Sequence, residues 1–184
     1  MGSSEELVDG RLREWGFRPE RFSKNELRQG KTPDRRVYRA NELVFFLEVK
    51  EVAAGDWLGG ERADPRFNRL TADIHDAVKQ FDSVNADREV ANVMAFVNRD
   101  SMCGPLDLYG VLTGDALATD SSRLRIYGKY ASGRIQSEKF RVDAYLWFDE
   151  QKAFKVFVNE VERRHSDRLR AEFDVICAKL AGQD

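Results

Sequence analysis

The chain has 184 residues, of which 42% are hydrophobic and 34% are charged, and its formal net charge is −2. This composition predicts a single globular domain over residues 1–184, and the near-neutral charge argues against an extended, non-specific nucleic-acid-binding protein. No apolar run approaches the ~20 residues of a transmembrane helix, and no secretory signal is visible at the start, so we expect a cytoplasmic protein without a membrane partner.

The first segment predicts a helix. Ser3 or Ser4 can cap a helix that runs to about Trp15. Glu5 and Glu6 then occupy its first turn, where the helix dipole favours acidic side chains.

Residues 17–29 are predicted to be irregular or briefly helical, and a hairpin follows them. A short alternating segment, Val37–Arg39, precedes a polar turn, and the apolar run Leu43–Leu47 then predicts a strand buried on both faces. Side-chain alternation beyond that run places Glu48 and Lys50 on one face of the strand. An acid and a base that leave the core together are costly to bury unless they are paired or bound to a ligand.

The middle of the chain predicts a βαβ unit. Arg69–Ser83 carries apolar residues at helical spacing, and Val90–Asn98 reads as a second buried strand. The connection between the two strands is expected to be parallel and right-handed. Leu106–Leu117 is then predicted to be helical, with a break near Gly110 or Gly114.

The C-terminal part predicts further strands and a last helix. Arg123–Tyr130 reads as a strand, and Phe140–Phe148 with Ala153–Val158 reads as a hairpin. From about Glu160 the pattern predicts a terminal helix with Cys177 on its apolar face. Together the elements predict an α/β fold, in which helices cover both sides of a mixed central sheet.

Two features of the surface each allow two interpretations. The glycine-rich loop after Lys50 contains Trp57, which either stacks on a nucleic-acid base from a flap or simply covers core. Basic side chains are concentrated between Arg11 and Arg39. They form either a solvated charged face or a surface for a polyanionic substrate.

The hairpin carries a recognisable arrangement of residues. Pro33-Asp34 precedes it and Glu48-Val49-Lys50 follows its apolar run, which resembles the signature of the PD-(D/E)xK nuclease superfamily. All the characteristic residues of that signature are present. The alternative interpretation is a surface ion pair between Glu48 and Lys50 at a strand end.

The resemblance covers about residues 3–100, in the order helix, hairpin, strand, helix, strand. It implies a restriction-endonuclease-like fold, a three-layer sandwich with a central mixed sheet flanked by helices. The strands and helix within residues 120–182 would complete that domain.

The resemblance also implies metal-dependent hydrolysis of phosphodiester bonds. Asp34 and Glu48 would hold Mg²⁺, which prefers hard oxygen ligands, and Mn²⁺ would substitute for it. The backbone carbonyl of Val49 would complete the metal shell. Lys50 would position or activate the attacking water, while the metal polarises the phosphate and lowers the pKa of bound water.

An acidic residue on the first helix is a candidate for an additional metal ligand. Many superfamily members place such a residue near the metal, and Glu6 is our candidate, with Glu5 and Glu14 as alternatives. Favourable charge in the first helical turn explains the same residues without a metal.

The helix that follows the strand offers a supporting catalytic residue. Helices at this place in the superfamily often carry a polar residue that faces the site, and Gln80 resembles it. His75 and Lys79 are further contributors to consider, although a lone helical histidine is usually a surface residue.

The function implied is that of an endonuclease or exonuclease acting on nucleic acid, with DNA favoured over RNA on superfamily precedent. A homodimer would suit cleavage of both strands of a duplex. Two alternatives remain. One is a catalytically silent module of the same fold that binds nucleic acid or a protein partner. The other is an immunity-type interaction protein whose surface is the charged helix from Glu160 to Leu180.

Overall fold

The computed structural model describes residues 2–53, 65–117, 122–125, 135, 137–149, 154–159 and 165–181. Within these ranges the chain is an α/β structure with a six-stranded mixed sheet. One apolar core joins the sheet to helices on one face, and a second core joins it to helices on the other. The predicted α/β class, with helices on both sides of a mixed sheet, is confirmed.

The strands are β1 (Arg18–Glu20), β2 (Arg35–Arg39), β3 (Glu42–Val52), β4 (Ala91–Asn98), β5 (Asp115–Leu117), β6 (Arg123–Arg125), β7 (Ala144–Asp149) and β8 (Phe154–Val158). The helices are α1 (Ser4–Glu14), α2 (Lys24–Gln29), α3 (Pro65–Val84), α4 (Pro105–Thr113) and α5 (Ser166–Ala181), with a short 3₁₀ helix over Glu138–Arg141.

The large sheet has the order β1-β2-β3-β4-β7-β8. The pairs β3–β4 and β4–β7 are parallel, whereas β1–β2, β2–β3 and β7–β8 are antiparallel. Helix α3 connects β3 to β4, so the predicted βαβ unit with parallel strands is confirmed. Strands β5 and β6 form a separate antiparallel pair.

A β-bulge in β3 sets which side chains face which helices. Val37 pairs with Phe45 and Tyr38 pairs with Leu43, so Val44 is an extra residue in β3. Beyond the bulge the strand alternates regularly. Phe45, Leu47 and Val49 belong to the core with α1 and α5, whereas Phe46 and Val52 belong to the core with α3 and α4. Glu48 and Lys50, which alternate with Val49, therefore lie on the α3 face.

The strand that carries the candidate residues is longer than its apolar run predicts. β3 does not end with the apolar run at Leu47 but continues to Val52, because Lys50 pairs with Phe96 and Val52 pairs with Asn98 of β4. Glu48 and Lys50 thus lie within a paired strand, which holds their backbone in place.

Within residues 17–29 the brief helix is confirmed as α2, whereas strand β1 was not predicted. β1 is too short to give a periodic signal, and it is held as an edge strand by β2. α2 forms because Ser23 caps it: Glu26 N–H donates to Ser23 Oγ at 3.4 Å, and Ser23 N–H donates to the Glu26 carboxylate at 2.9 Å.

The segment after β4 is predicted in part. α4 ends at Thr113 and Gly114 has a φ of 80°, which confirms the break predicted there. Beyond the break the chain forms β5 rather than helix. Strand β6 confirms the first residues of the strand predicted over Arg123–Tyr130, and residues 126–130 lie outside the described ranges, as does Trp57.

The C-terminal hairpin and helix are confirmed with shifted starts. β7 pairs with β8, but the strand predicted from Phe140 begins only at Ala144, because Glu138–Arg141 turn as a 3₁₀ helix. Helix α5 is described from Ser166, and the start predicted near Glu160 falls on residues 160–164, which lie outside the described ranges. The core position predicted for Cys177 is wrong, because α5 turns its neighbour Ile176 toward the sheet and leaves Cys177 exposed.

None of the helices in the described ranges combines the length and the apolar character needed to cross a membrane.

Candidate active site

Two carboxylates meet where the β2–β3 hairpin opens. Arg35, the first residue of β2, pairs with Leu47, so the antiparallel register brings Asp34 opposite Glu48. Asp34 also extends the hairpin with its side chain, because its Oδ2 accepts a hydrogen bond of 2.8 Å from the N–H of Val49. The hairpin thus brings together the two residues that the sequence proposes as metal ligands.

Glu48 is buried and forms an ion pair with the half-buried Lys50. Lys50 Nζ lies 2.8 Å from Glu48 Oε1, and the Glu48 side chain is 2% exposed while that of Lys50 is 24% exposed. The ion pair of the alternative interpretation is thus present, but its acidic partner is buried rather than at the surface. The second carboxylate oxygen, Glu48 Oε2, is buried and accepts no hydrogen bond from the described residues. A buried acceptor without a donor is costly and points to a missing partner.

The pKa values of both carboxyls are raised, although Glu48 itself lowers the pKa of Asp34 through a side-chain hydrogen bond. Burial, and then the negative charge of Asp34, raise the pKa of Glu48 to about 7, against the opposing effect of Lys50. Burial also raises the pKa of Asp34, the N–H of Val49 opposes this, and the negative charge of Glu5 adds to it. Two acids that repel each other in a poorly hydrated site favour either a shared proton or a bound cation.

Helix α3 covers this part of β3 with Gln80. Its Nε2 donates a hydrogen bond of 3.3 Å to the carbonyl of Thr32, and its amide is close enough to Glu48 to favour the charged carboxylate. Gln80 Oε1 is buried and finds no donor in the part of the chain that the structure describes. Gln80 therefore contributes to the region around Glu48 a second buried oxygen, Oε1, without a donor among the described residues.

Asp73 is a residue of this region that the sequence analysis missed. It lies on α3 two turns before Gln80, so the two side chains share one face of the helix. Burial raises the pKa of Asp73 to about 6, against the charge of Lys50, and its Oδ2 is buried without a donor among the described residues. The heptad spacing from Gln80 is the signal that could have identified it.

Lys50 remains charged in this environment. Burial lowers the pKa of Lys50, but the carboxylates of Glu48, Asp73 and Asp34 outweigh this effect and raise it above its usual value. The ammonium group is therefore the positive centre of an otherwise acidic region.

The three glutamates of α1 have three different roles. The carboxylate of Glu6 accepts a hydrogen bond of 3.0 Å from Ser3 N–H and forms half of the helix cap. Glu14 pairs with Arg11 at 2.8 Å. Glu5 is the one among them whose charge acts on Asp34. The structure thus directs Glu6 to the cap and brings Glu5 to the edge of the site.

Arg35 joins α1 to the hairpin from the opposite face of the sheet. It is 2% exposed. Its Nε lies 2.9 Å from Asp9 Oδ1, its Nη2 lies 2.7 Å from Glu5 Oε2, and its Nη1 donates to the backbone carbonyl of Asp34 at 2.8 Å. The guanidinium therefore fixes the backbone that carries Asp34.

Most arginines of the basic segment from Arg11 to Arg39 are paired with acids. The pairs are Arg36–Glu26 at 2.5 Å, Arg39–Glu172 at 2.7 Å, Arg21–Glu5 at 3.5 Å and Arg18–Glu20. Together with the burial of Arg35, these pairs offset much of the positive charge that the sequence places here.

The other two candidates on α3 are exposed. His75 pairs with Glu138, and Lys79 lies 3.3 Å from Asp76. Both side chains are engaged with other surface groups.

The oxygen atoms at the site suit a hard divalent cation. Within the described ranges, no group of three or more histidine, cysteine, aspartate or glutamate side chains is arranged as a metal centre. The donors are instead two carboxylates, Asp34 and Glu48, with nearby amide and backbone oxygens. Mg²⁺ suits such a set because it keeps several of its own waters, whereas Zn²⁺ prefers nitrogen and sulfur ligands.

The backbone carbonyl of Val49 is directed toward the same side. The N–H of Val49 donates to Asp34 rather than to a backbone carbonyl of β2, whose pairing ends at Arg35. The N–H and C=O of one strand residue point toward the same neighbouring strand. The Val49 carbonyl is therefore expected on the β2 side of β3, beyond the last residue that β2 pairs.

No protein-family model matches the chain, and neither a curated protein nor a solved structure is significantly similar to it.

Proposed function

We propose that this protein is a metal-dependent nuclease that hydrolyses phosphodiester bonds. One observation carries the proposal: Asp34 and Glu48 converge at the open end of a hairpin, with Lys50 2.8 Å from Glu48. Glu48 Oε2 is buried there without a donor in the described part of the chain. A divalent cation would give that oxygen a partner and relieve the repulsion between the two acids.

The proposal extends to the restriction-endonuclease-like fold. Helix α1, the β2–β3 hairpin, helix α3 and the parallel strand β4 follow one another in the order that the superfamily resemblance implies. The central mixed sheet with helices on both faces supports this assignment.

Each residue has a defined role in the proposed site. Asp34, Glu48 and the carbonyl of Val49 would hold Mg²⁺ or Mn²⁺, and the bound ion would polarise the scissile phosphate and acidify a water. Lys50 would donate hydrogen bonds to the attacking water or to the phosphate oxygen on which charge develops. Gln80 would orient Glu48 from the side of α3.

The substrate proposed is nucleic acid, with DNA favoured over RNA because of the superfamily resemblance. The test is cleavage of a labelled panel of duplex, single-stranded and branched DNA and of RNA, in Mg²⁺, Mn²⁺ or EDTA. Lys50→Ala is purified in parallel, with Lys79→Ala as the matched control, because Lys79 is an exposed lysine of α3.

The proposal predicts metal-dependent cleavage that disappears in EDTA. Lys50→Ala should lower the rate by roughly 100-fold or more, the size of effect seen when one preorganised donor is removed from a reaction centre. Lys79→Ala should cut at the wild-type rate. Absence of cleavage on every substrate, or equal cleavage by Lys50→Ala, would overturn the nuclease proposal.

A second candidate is a catalytically silent module of the same fold that binds nucleic acid or a protein. The observation that favours it is the pairing of arginines with acids between Arg18 and Arg39, which leaves less positive charge for a nucleic-acid backbone. Calorimetric titration with Mn²⁺ separates the two candidates. The silent module predicts no metal binding by the wild-type chain and partner binding that Lys50→Ala leaves unchanged.

A further inference from the structure

We propose that helix α2 and the residue that follows its end, Lys31, form the surface on which the sugar-phosphate backbone of the nucleic acid lies beside the site. The side chains are Lys24, Arg28 and Lys31, and we call them the α2 basic surface. This inference rests on the proposed function and assigns to it a set of substrate contacts. Such contacts position a nucleic acid without reading its base sequence.

The three cations are what remains of the basic segment when its ion pairs are set aside. Glu26, the acid of α2, pairs with Arg36 of β2 at 2.5 Å, so it does not offset the cations of its own helix. Lys24, Arg28 and Lys31 are all exposed, and none of them forms an ion pair with an acid that the structure describes. Their charges are therefore available to phosphate groups.

The helical geometry of α2 separates its acid from its cations. At about 100° per residue, Lys24 and Arg28 lie on one face of the helix and Glu26 lies on the opposite face. Glu26 is directed toward β2, where it meets Arg36. The face with Lys24 and Arg28 is therefore directed away from the sheet. Leu27, beside them, is 55% exposed, as a side chain on that side of the helix should be.

Contacts with the sheet place α2 on the same side as Glu48. Phe22, just before α2, stacks on Phe46 of β3 with ring centroids 6.2 Å apart, and the Arg36 guanidinium lies 3.9 Å from the centre of the Phe22 ring. Phe46 and Glu48 are two residues apart in β3, so their side chains share the face that α3 covers. At about 3.3 Å per residue, this ring contact lies roughly 7 Å along the strand from Glu48.

Lys31 continues the surface from α2 toward the site. Its backbone carbonyl accepts a hydrogen bond from Ser83 Oγ, and the next carbonyl, that of Thr32, accepts one of 3.3 Å from Gln80 Nε2. Both donors belong to α3, so this segment is held against the helix that covers the site. Asp34 follows three residues after Lys31. The three cations thus lead from α2 to the proposed metal ligands.

A phosphate backbone is the partner that fits this surface. It carries regularly spaced negative charges, and cations arranged along a path neutralise several of them and release their counterions. The surface also ends beside the groups that would act on a phosphodiester bond. This continuity favours nucleic acid over an acidic protein as the occupant.

The experiment measures the affinity for a short, fluorescently labelled DNA duplex by anisotropy, in EDTA, between about 50 and 200 mM salt. The basic-surface variant combines three substitutions, Lys24→Gln, Arg28→Gln and Lys31→Gln. A charge-conserving variant combines Lys24→Arg, Arg28→Lys and Lys31→Arg. Thermal unfolding of each variant establishes that the fold is intact.

Helices α1 and α5 supply a matched control. Both pack on the opposite face of the sheet and carry exposed arginines. The control variant combines Arg11→Gln, Arg13→Gln and Arg168→Gln. It removes the same three positive charges from the chain and leaves the α2 basic surface unchanged.

The expected result is a loss of affinity that depends on salt. The slope of log K against log salt should become less steep by about 2.7 in the basic-surface variant, because each lost phosphate contact removes about 0.9. Its affinity at about 50 mM salt should be lower by roughly 40-fold or more, and the difference should shrink toward 200 mM. The charge-conserving and control variants should bind as the wild type does. In the cleavage assay, the basic-surface variant should have a raised KM and an unchanged kcat.

Four results would overturn the inference. The basic-surface variant could bind the duplex as tightly as the wild type. The wild type could fail to bind DNA. The control variant could lose as much affinity, which would assign binding to overall charge. Poly-glutamate could displace the duplex as effectively as unlabelled DNA does, which would indicate an acidic protein as the partner.

Binding in EDTA requires neither metal nor cleavage, so the inference and the nuclease proposal fail in different ways. A chain that binds DNA through the α2 basic surface but does not cut it would support the inference and contradict the nuclease proposal. A chain that cuts DNA while the basic-surface variant binds and cuts normally would do the reverse.

Discussion

Glu48 is a carboxylate that both burial and a neighbouring charge push toward its protonated form. Asp143 is another buried acid, but both of its carboxylate oxygens accept hydrogen bonds. Asp143 Oδ1 accepts a hydrogen bond from Arg88 at 2.7 Å, and its Oδ2 accepts one from the N–H of Asn92 at 2.8 Å. Glu48 Oε2 accepts none within the described ranges. A fully bonded acid suits a structural role, and an incompletely bonded acid beside a second acid suits cation binding.

The raised pKa of Glu48 predicts how stability depends on pH in EDTA. Folding raises this pKa from 4.5 to about 7, so the folded state holds the proton more tightly than the unfolded state. The stabilisation from protonated Glu48 is therefore complete below about pH 4.5 and is lost as the pH rises through about 7. At about 1.36 kcal/mol per pH unit, the loss is on the order of 3 kcal/mol.

Glu48→Gln should remove that loss, because the amide cannot ionise. In urea unfolding across pH 5 to 8.5 in EDTA, the variant should be more stable than the wild type at pH 8 by about 1–3 kcal/mol. The difference between the two proteins should shrink toward pH 5. Asp76→Asn, at an exposed acid, serves as the control. A Glu48→Gln variant that is less stable than wild type at pH 8 would contradict the account.

At the scale of elements, Arg35 links helix α1 to the hairpin. Its guanidinium contacts Asp9 and Glu5 of α1 and the backbone carbonyl of Asp34, all from a buried position. Asp34 is therefore held from two directions, through its backbone by Arg35 and through its side chain by Val49 N–H. This support is what a site needs if two repelling acids are to stay together.

Arg35→Met is expected to destabilise the fold strongly. The substitution removes the nearer cation of the buried Asp9 and leaves it the longer pair with Arg13 at 3.9 Å. Breaking a buried pair by removing one partner costs about 3–5 kcal/mol. Arg18→Met is the matched control, because the Arg18–Glu20 pair is exposed and such pairs contribute about 0–1 kcal/mol. Urea unfolding at pH 7 measures both. A loss of unfolding free energy below about 1 kcal/mol for Arg35→Met would contradict the proposed role of Arg35 in joining α1 to the hairpin.

Local sequence patterns predict some of the helices and strands but not others. α3, β3 and β4 have strong periodic or apolar signals, and all three were predictable from them. β1 and α2 are too short for periodicity and depend on an edge pairing and a capping box. The extension of β3 to Val52 depends on its pairing with β4, a partner distant in the sequence.

At the scale of the whole molecule, the sequence predicts where some residues of the candidate site lie but not others. Asp34 and Glu48 could be predicted to meet because a hairpin is a local structure whose register sets opposing residues. The effect of the Asp73 charge on Lys50 depends on how α3 is rotated over the sheet, which no local pattern specifies. The burial of Arg35 likewise depends on the packing of α1, so its sequence neighbours suggested a surface arginine instead.

The measurement that tests the central claim most directly is Mn²⁺ binding by the purified chain, followed by electron paramagnetic resonance. The account predicts saturable binding by wild type that weakens about tenfold or more in Asp34→Asn and in Glu48→Gln, since each substitution removes a charged oxygen ligand. Glu6→Gln and Asp76→Asn should bind as the wild type does, because Glu6 caps α1 and Asp76 pairs with Lys79. Wild-type binding that neither Asp34→Asn nor Glu48→Gln weakens, or no binding by the wild type at all, would contradict a metal site at the open end of this hairpin.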